Sequence, residues 1–163
     1  MQNEESEQTR RYVENYFKLY GDRSVSIKDF IHNDFIGCDG ISNNIYNYEN
    51  WLKAIDYDFN QVKNSFSIDI SDYKTRHLGD NLTMVVTVSS WDLKFFKDFP
   101  EFDKIRTVFV LKKDDGSIKI THLSNSISLV SLDRDEVYPF ALGEFLKSWK
   151  QSLFGMGKKK DKK

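Results

Sequence analysis

With 163 residues, 39% of them hydrophobic and 30% charged, the chain fits one globular domain, and a domain of this size buries about 70% of its unfolded surface without needing a disulfide or a metal. Cys38 is the single cysteine, which excludes an internal bridge. The acidic start MQNEESEQ has no signal-peptide pattern, and runs such as TVFVL are far too short to span a bilayer, so the chain reads as cytoplasmic. The net charge of -1 divides unevenly, with +5 on residues 144–163 and -6 before them, and an acidic globular part argues against a broad nucleic-acid surface.

Tyr12, Val13, Tyr16, Phe17 and Tyr20 recur at helical spacing ahead of Gly21 and predict a first helix over 5–20 with one apolar stripe. Ser26 and Asp29 resemble a capping pair for a short helix ending near His32, followed by DFIGCDG as a short strand leaving through a glycine turn. Asn47 caps a third helix from Tyr48 to about Lys63, with Trp51, Leu52, Ile55, Phe59 and Val62 as its buried stripe and Asp58 at the stripe's edge. A carboxylate there requires water or a partner.

From Phe66 the period changes to two. Phe66, Ile68 and Ile70 share one side of a strand, and Leu82, Met84, Val86 and Val88 share one side of the next, joined by the LGDN turn. Ile105–Lys113 and Ser117–Leu129 form a second hairpin around Asp114, Asp115 and Gly116. Strands joined in succession by turns predict an antiparallel sheet. The aromatic connection LKFFKDFPEFDK, from Leu93 to Lys104, predicts a flap or rim, and the tail GKKKDKK a disordered end.

Helices followed by a meander of long strands resemble the nuclear transport factor 2-like superfamily, which includes the SnoaL-like and ketosteroid-isomerase-like proteins, over about residues 8–130. More narrowly, DF-x-G-x-DG, the helix ending DYDF, the strand start IRTVF, and ITHLSNS followed by DEVYPF resemble SnoaL-like domains at the front of bacterial signalling proteins. Those precede histidine kinase or diguanylate cyclase modules, and no such module lies within these 163 residues. The resemblance implies an α+β fold: a cone-shaped, strongly curved antiparallel sheet wrapped around about three N-terminal helices and enclosing a pocket. The organisation expected is a domain over 1–137, an amphipathic helix over 138–154 and a lysine-rich tail over 155–163.

The same resemblance places Asp39 at or next to the carboxylate base of ketosteroid isomerases and Tyr16 where those enzymes carry an oxyanion-stabilising phenol. The isomerases' second, protonated carboxylic acid has no counterpart on the later strands, and Asp39 before Gly40 equally fits an Asx-turn. Asp58, Arg106 and His122 are the other expected constellation. Together with Tyr16 and Trp51 they suit a small anionic ligand, because an arginine forks onto carboxylate or phosphate and histidine adds a donor. The competing expectation is a structural Asp58–Arg106 ion pair, with His122 hydrogen-bonded across the sheet. The three histidines lack ligand spacing and the lone Cys38 makes no zinc site, so no metal or cofactor is expected.

The function read from the residues is therefore a non-catalytic small-molecule-binding or interaction module, regulatory or sensory. The alternative is a small isomerase, dehydratase or hydrolase with Asp39, or the Asp58 and His122 pair, as general base. Val85, Val108, Val110 and Leu123, taken as outward-facing, predict a homodimer through the outer sheet face. Leu142, Phe145, Leu146, Trp149 and Leu153 form a stripe on the 138–154 helix that predicts docking on a partner, an anionic membrane or the domain itself.

Overall fold

The computed structural model describes residues 2–40, 44–79, 81–92 and 104–127. The chain divides after Ile127 into two units, and the described residues all belong to the first. The expected flap over 93–104, apart from Lys104, lies outside the described residues, as do the domain end at Val137, the 138–154 helix and the lysine tail.

Helix α1 runs Gln2–Gly21 and buries Val13, Tyr16 and Phe17, the stripe read from the sequence. Gly21 is needed for close approach: a Cβ there would sit 2.3 Å from the Phe66 carbonyl oxygen, and the Phe66 N–H donates to the Gly21 carbonyl at 3.1 Å. A 3-10 turn over Val25–Phe30 stands where a short helix was expected, and strand β1 follows at once over Ile31–Cys38. A short edge strand β2, Ile45–Asn47, precedes helix α2, Tyr48–Gln61. The Asn47 side chain caps α2 by accepting from the Asn50 N–H at 3.0 Å.

Four long strands complete the unit: β3 Ile68–Gly79, β4 Leu82–Trp91, β5 Ile105–Asp114 and β6 Ser117–Ile127. The β5–β6 turn has positive φ at both Asp115 (47°) and Gly116 (81°), the geometry of a two-residue hairpin. Among the described residues six strands form one curved sheet in the order β2-β1-β6-β5-β4-β3. It is mostly antiparallel, not wholly so as expected: β1 lies parallel to β6. Among the described residues no helix is long and apolar enough to cross a membrane.

The inner face of the sheet carries Val85, Thr87 and Ser89 from β4 and Ile105, Thr107, Phe109 and Leu111 from β5, all buried. Tyr16 and Phe17 each meet Phe109 edge-on with ring centroids 5.5 Å apart, which closes the core between α1 and the sheet. The opposite row, Met84, Val86 and Val88 paired with Val110, Val108 and Arg106, lies on the outer face. Val85 and Leu123, expected outside, are therefore core residues at 0% and 1% exposure.

One irregularity explains part of that reversal. Val110 pairs with His122 but Leu111 pairs with Ile120, so Thr121 is an extra residue in β6, a β-bulge. Strict alternation from buried Ile120 would place His122 inside and Leu123 outside; the bulge exchanges them.

Candidate functional site

A cavity of about 520 Å³ opens between the helices and the inner face of the sheet. Its walls are mainly rings and aliphatic side chains. Tyr16 and Tyr20 come from α1, Trp51 and Ile55 from α2, and Trp91, Ile105 and Leu123 from the strands. Its polar groups are few: Asp39, Asp58, the phenols, the Trp51 indole, Thr107 and Asn125.

Asp39 follows directly on β1. Gly37, two residues earlier, has no room for a side chain because the Phe35 ring covers it, with Cζ 2.5 Å from where a Cβ would stand. Phe35 packs on Trp51 at 5.1 Å, and Trp51 meets Tyr46 edge-on at 5.4 Å. The Tyr46 phenol donates to Asp39 Oδ2 at 2.8 Å. Asp39 is thus a pocket residue held by a phenol from β2.

Asp58 lines the pocket from the last turn of α2 and is held twice. Tyr20 Oη–H donates to its Oδ2 at 2.6 Å and Arg23 Nη1 donates to the same oxygen at 2.9 Å. The Arg23 guanidinium lies over Phe66, Phe59 and Tyr20 at 4.6, 5.1 and 5.2 Å, so it is nearly buried among rings. Its backbone has φ +58°, a left-handed conformation that costs an arginine about 1 kcal/mol. Burial, and then the Asp58 carboxylate, push the Tyr20 phenol well above its ordinary value, so it stays a donor.

The expected Asp58–Arg106–His122 constellation does not form. Arg106 and His122 project from the outer face, on positions paired with Ser126 and Val110, while Asp58 faces the pocket. His122 Nδ1 instead lies 2.8 Å from the Ile36 carbonyl oxygen of β1, linking the two parallel strands. Asp58 has an ion pair, but Arg23 supplies it. The sequence offered a signal for Arg23 only in hindsight: a charged residue two positions past a helix-ending glycine, where the chain folds back across the aromatic ends of both helices.

Tyr16 and Trp51 both line the pocket, as expected. Tyr16 is 4% exposed and Trp51 7%. Burial pushes the Tyr16 phenol strongly up, and the Trp51 indole N–H beside it pulls it partway back. That N–H nevertheless reaches no acceptor at hydrogen-bond geometry among the described residues. A buried donor left unmatched costs about 1–3 kcal/mol. On the sheet side, Thr107 Oγ1 donates to Asn125 Oδ1 at 2.8 Å, which turns the Asn125 amide nitrogen away from that bond. Among the described residues no group of His, Cys, Asp and Glu is placed to hold a metal ion.

No protein-family model matches the sequence, and no curated protein sequence does. Solved structures match the fold. An NTF2-like protein of unknown function from Pseudomonas putida aligns with TM-score 0.68 and 12% identity over 84% of this chain and 96% of its own. A candidate scytalone dehydratase from Novosphingobium aromaticivorans aligns with TM-score 0.65 and 13% identity over 79% and 89%. A candidate dehydratase of the NTF2-like family from Streptomyces avermitilis aligns with TM-score 0.68 and 9% identity over 79% and 99%.

Proposed function

We propose that this chain, which has the nuclear transport factor 2-like fold, is a small-molecule-binding module that holds a neutral, largely apolar ligand and serves a regulatory role in the cytoplasm. One observation carries the reading: the pocket is roomy and ring-lined, and its two carboxylates and Thr107 are already held by neighbouring side chains. Asp39 is held by Tyr46, Asp58 by Tyr20 and Arg23, and Thr107 by Asn125. A cavity of this size and lining suits a drug-sized ligand.

An anionic ligand, expected on the strength of Arg106 and His122, loses its support. No Lys, Arg or His is among the described residues lining the pocket, whereas two carboxylates are. The test is native mass spectrometry of freshly purified protein beside Ala54→Trp, which fills the cavity from α2. A small molecule retained by the parent and lost in the variant supports binding. Equal retention, or none in either, counts against it.

A second reading is favoured by Asp39. Its carboxylate shares the pocket with Tyr16, the pairing a dehydratase or isomerase needs for removing a proton beside a carbonyl. Deuterium uptake by an enolisable ring ketone in heavy water decides: a rate above buffer that falls by about 10²-fold or more in Asp39→Asn makes the chain an enzyme.

The outer face supplies the partner in this proposal. Met84, Val86, Val88, Val108 and Val110 form a half-buried apolar patch on β4 and β5, flanked on β3 by Asp72, Lys74 and Arg76. An apolar centre with a charged rim is the anatomy of a protein interface, here a homodimer. Val108→Asp is expected to convert a dimer into a monomer in sedimentation equilibrium; a parent that is already monomeric at micromolar concentration defeats the idea.

A further inference from the structure

Asp58 reaches the cavity from the last turn of α2 with its side chain 38% exposed, while the group that pairs with it is almost dry. The Arg23 side chain is 9% exposed, and its guanidinium is enclosed by Phe66, Phe59 and Tyr20. Arg23 Nε reaches no acceptor among the described residues, so the guanidinium meets the carboxylate through its Nη end and not as a side-on fork. The bonds from Arg23 Nη1 and from the Tyr20 phenol fall on the same oxygen, Oδ2. Neither is on Oδ1. An ion pair that served the fold alone would turn both oxygens to the guanidinium, the fork-to-fork arrangement that arginine and carboxylate often adopt.

We propose that Asp58 Oδ1 is an acceptor subsite for the hydroxyl of a neutral ring compound held in the cavity. This rests on the cavity being a binding site. Two donors on Oδ2, one from α1 and one from the turn after it, fix the carboxylate and leave Oδ1 to the cavity side. Trp91 lies against Tyr20 with ring centroids 5.3 Å apart, but its indole N–H already donates to Ser89 Oγ at 3.0 Å, so it does not compete for Oδ1. A carboxylate oxygen accepts and cannot donate, so it selects an O–H over an ether or a carbonyl at the same place. The Arg23 charge behind Oδ2 offsets that of the carboxylate, so the ligand supplies a donor and no positive charge. The ligand's rings meet Ile55, Trp91, Ile105 and Leu123, which keep water from the bond.

The probes are trans-4-phenylcyclohexanol and its methyl ether, each titrated into the full chain by calorimetry. The ether is the more apolar of the two, so a cavity that only shelters rings from water prefers the ether. The parent chain is expected to prefer the alcohol by about tenfold, the reach of one hydrogen bond to a charged acceptor. In Asp58→Asn the Tyr20 and Arg23 donors claim the amide oxygen and turn the NH2 to the cavity, so the preference is expected to fall to parity or pass to the ether. A parent that binds both and does not favour the alcohol overturns the subsite and leaves the pocket standing, as does a preference that persists in Asp58→Asn. Should Asp58→Asn fail to fold, Asp39→Asn decides: a preference kept there supports Asp58, and one lost there assigns the hydroxyl to Asp39 and overturns the subsite. Neither probe binding overturns the subsite and the binding function together.

Discussion

Along β4 the two faces of the sheet invert the usual relation between polarity and burial, and Thr107 on β5 adds to it. The inner face contains Thr87, Ser89 and Thr107, each fully buried, while the outer face of the same strands contains Met84, Val86, Val88, Val108 and Val110, each partly exposed. The inner hydroxyls are satisfied by backbone and side chain: Thr87 Oγ1 donates to the Thr107 carbonyl at 3.5 Å, Ser89 Oγ to the Ile105 carbonyl at 3.4 Å, and Thr107 Oγ1 to Asn125. A face that lines a cavity need not be the more apolar one. It needs small side chains where space must remain, and these are tolerated inside because each finds a hydrogen bond.

The comparison is broken first by truncation. Phe109→Ala removes the ring against which Tyr16 and Phe17 pack and is expected to cost about 3–5 kcal/mol, read as a lower urea midpoint. Val108→Ala, one residue away on the other face, is expected to cost under about 1 kcal/mol in the monomer. Similar losses at both positions would mean that the two faces are equally packed.

Alkaline titration comes next. Burial pushes the phenols of Tyr12, Tyr16 and Tyr20 above their ordinary value, and that of Tyr73 to about 12. The unfolded chain gives up these protons near pH 10, before the folded chain does, so the native state holds more protons above that point. Stability from these groups is thus complete below about pH 10 and falls as pH rises beyond it, by about 1.4 kcal/mol per pH unit for a fully buried phenol. Phenolate absorbance rising together with loss of the circular dichroism signal fits this; phenolate formation in a chain that stays folded does not.

Double mutants sharpen the comparison at the site's charged groups. Arg23→Ala and Asp58→Ala are expected each to cost about 1–3 kcal/mol and to be non-additive, since Asp58 is part-exposed and the pair is only half desolvated. Arg106→Ala is expected to change stability by less than about 0.5 kcal/mol and to add to Asp58→Ala, because the two side chains lie on opposite sides of the sheet. A coupling between Arg106 and Asp58 larger than that with Arg23 would restore the ion pair expected from the sequence. Between these effects lies Thr107→Val, a near-isosteric loss of the bond to Asn125, at about 1 kcal/mol by thermal melting.

Local signals carried most of the fold. Asn47 as a cap, Asp115–Gly116 as a turn and the α1 stripe are each decided by residues within one turn of each other, and the structure has them as read. Strand β2, with three residues, was too short for a periodicity to show, and the parallel pairing of β1 with β6 joins segments about ninety residues apart. The site was legible in its lining but not in its pairing. Tyr16, Trp51, Asp39 and Asp58 do line the pocket, whereas Arg106 and His122, expected inside on the motifs around them, face outward. Alternation fails at Thr121 because a bulge leaves no mark in composition, while on β4 it holds but the more apolar row lies on the outer face.

The bulge at Thr121 makes the chemistry of the pocket a matter of reading frame along one strand. Were the bulge ironed out with every residue kept and the β5–β6 turn fixed, the distal half of β6 would slide by one place, bringing His122, Ser124 and Ser126 to the inner face and sending Leu123 and Asn125 outward, whereas deleting Thr121 would regularise the strand and leave both faces as they are. One extra residue thus decides, with no substitution at any of those positions, whether the wall presents an apolar side chain and an amide or a titratable base and hydroxyls.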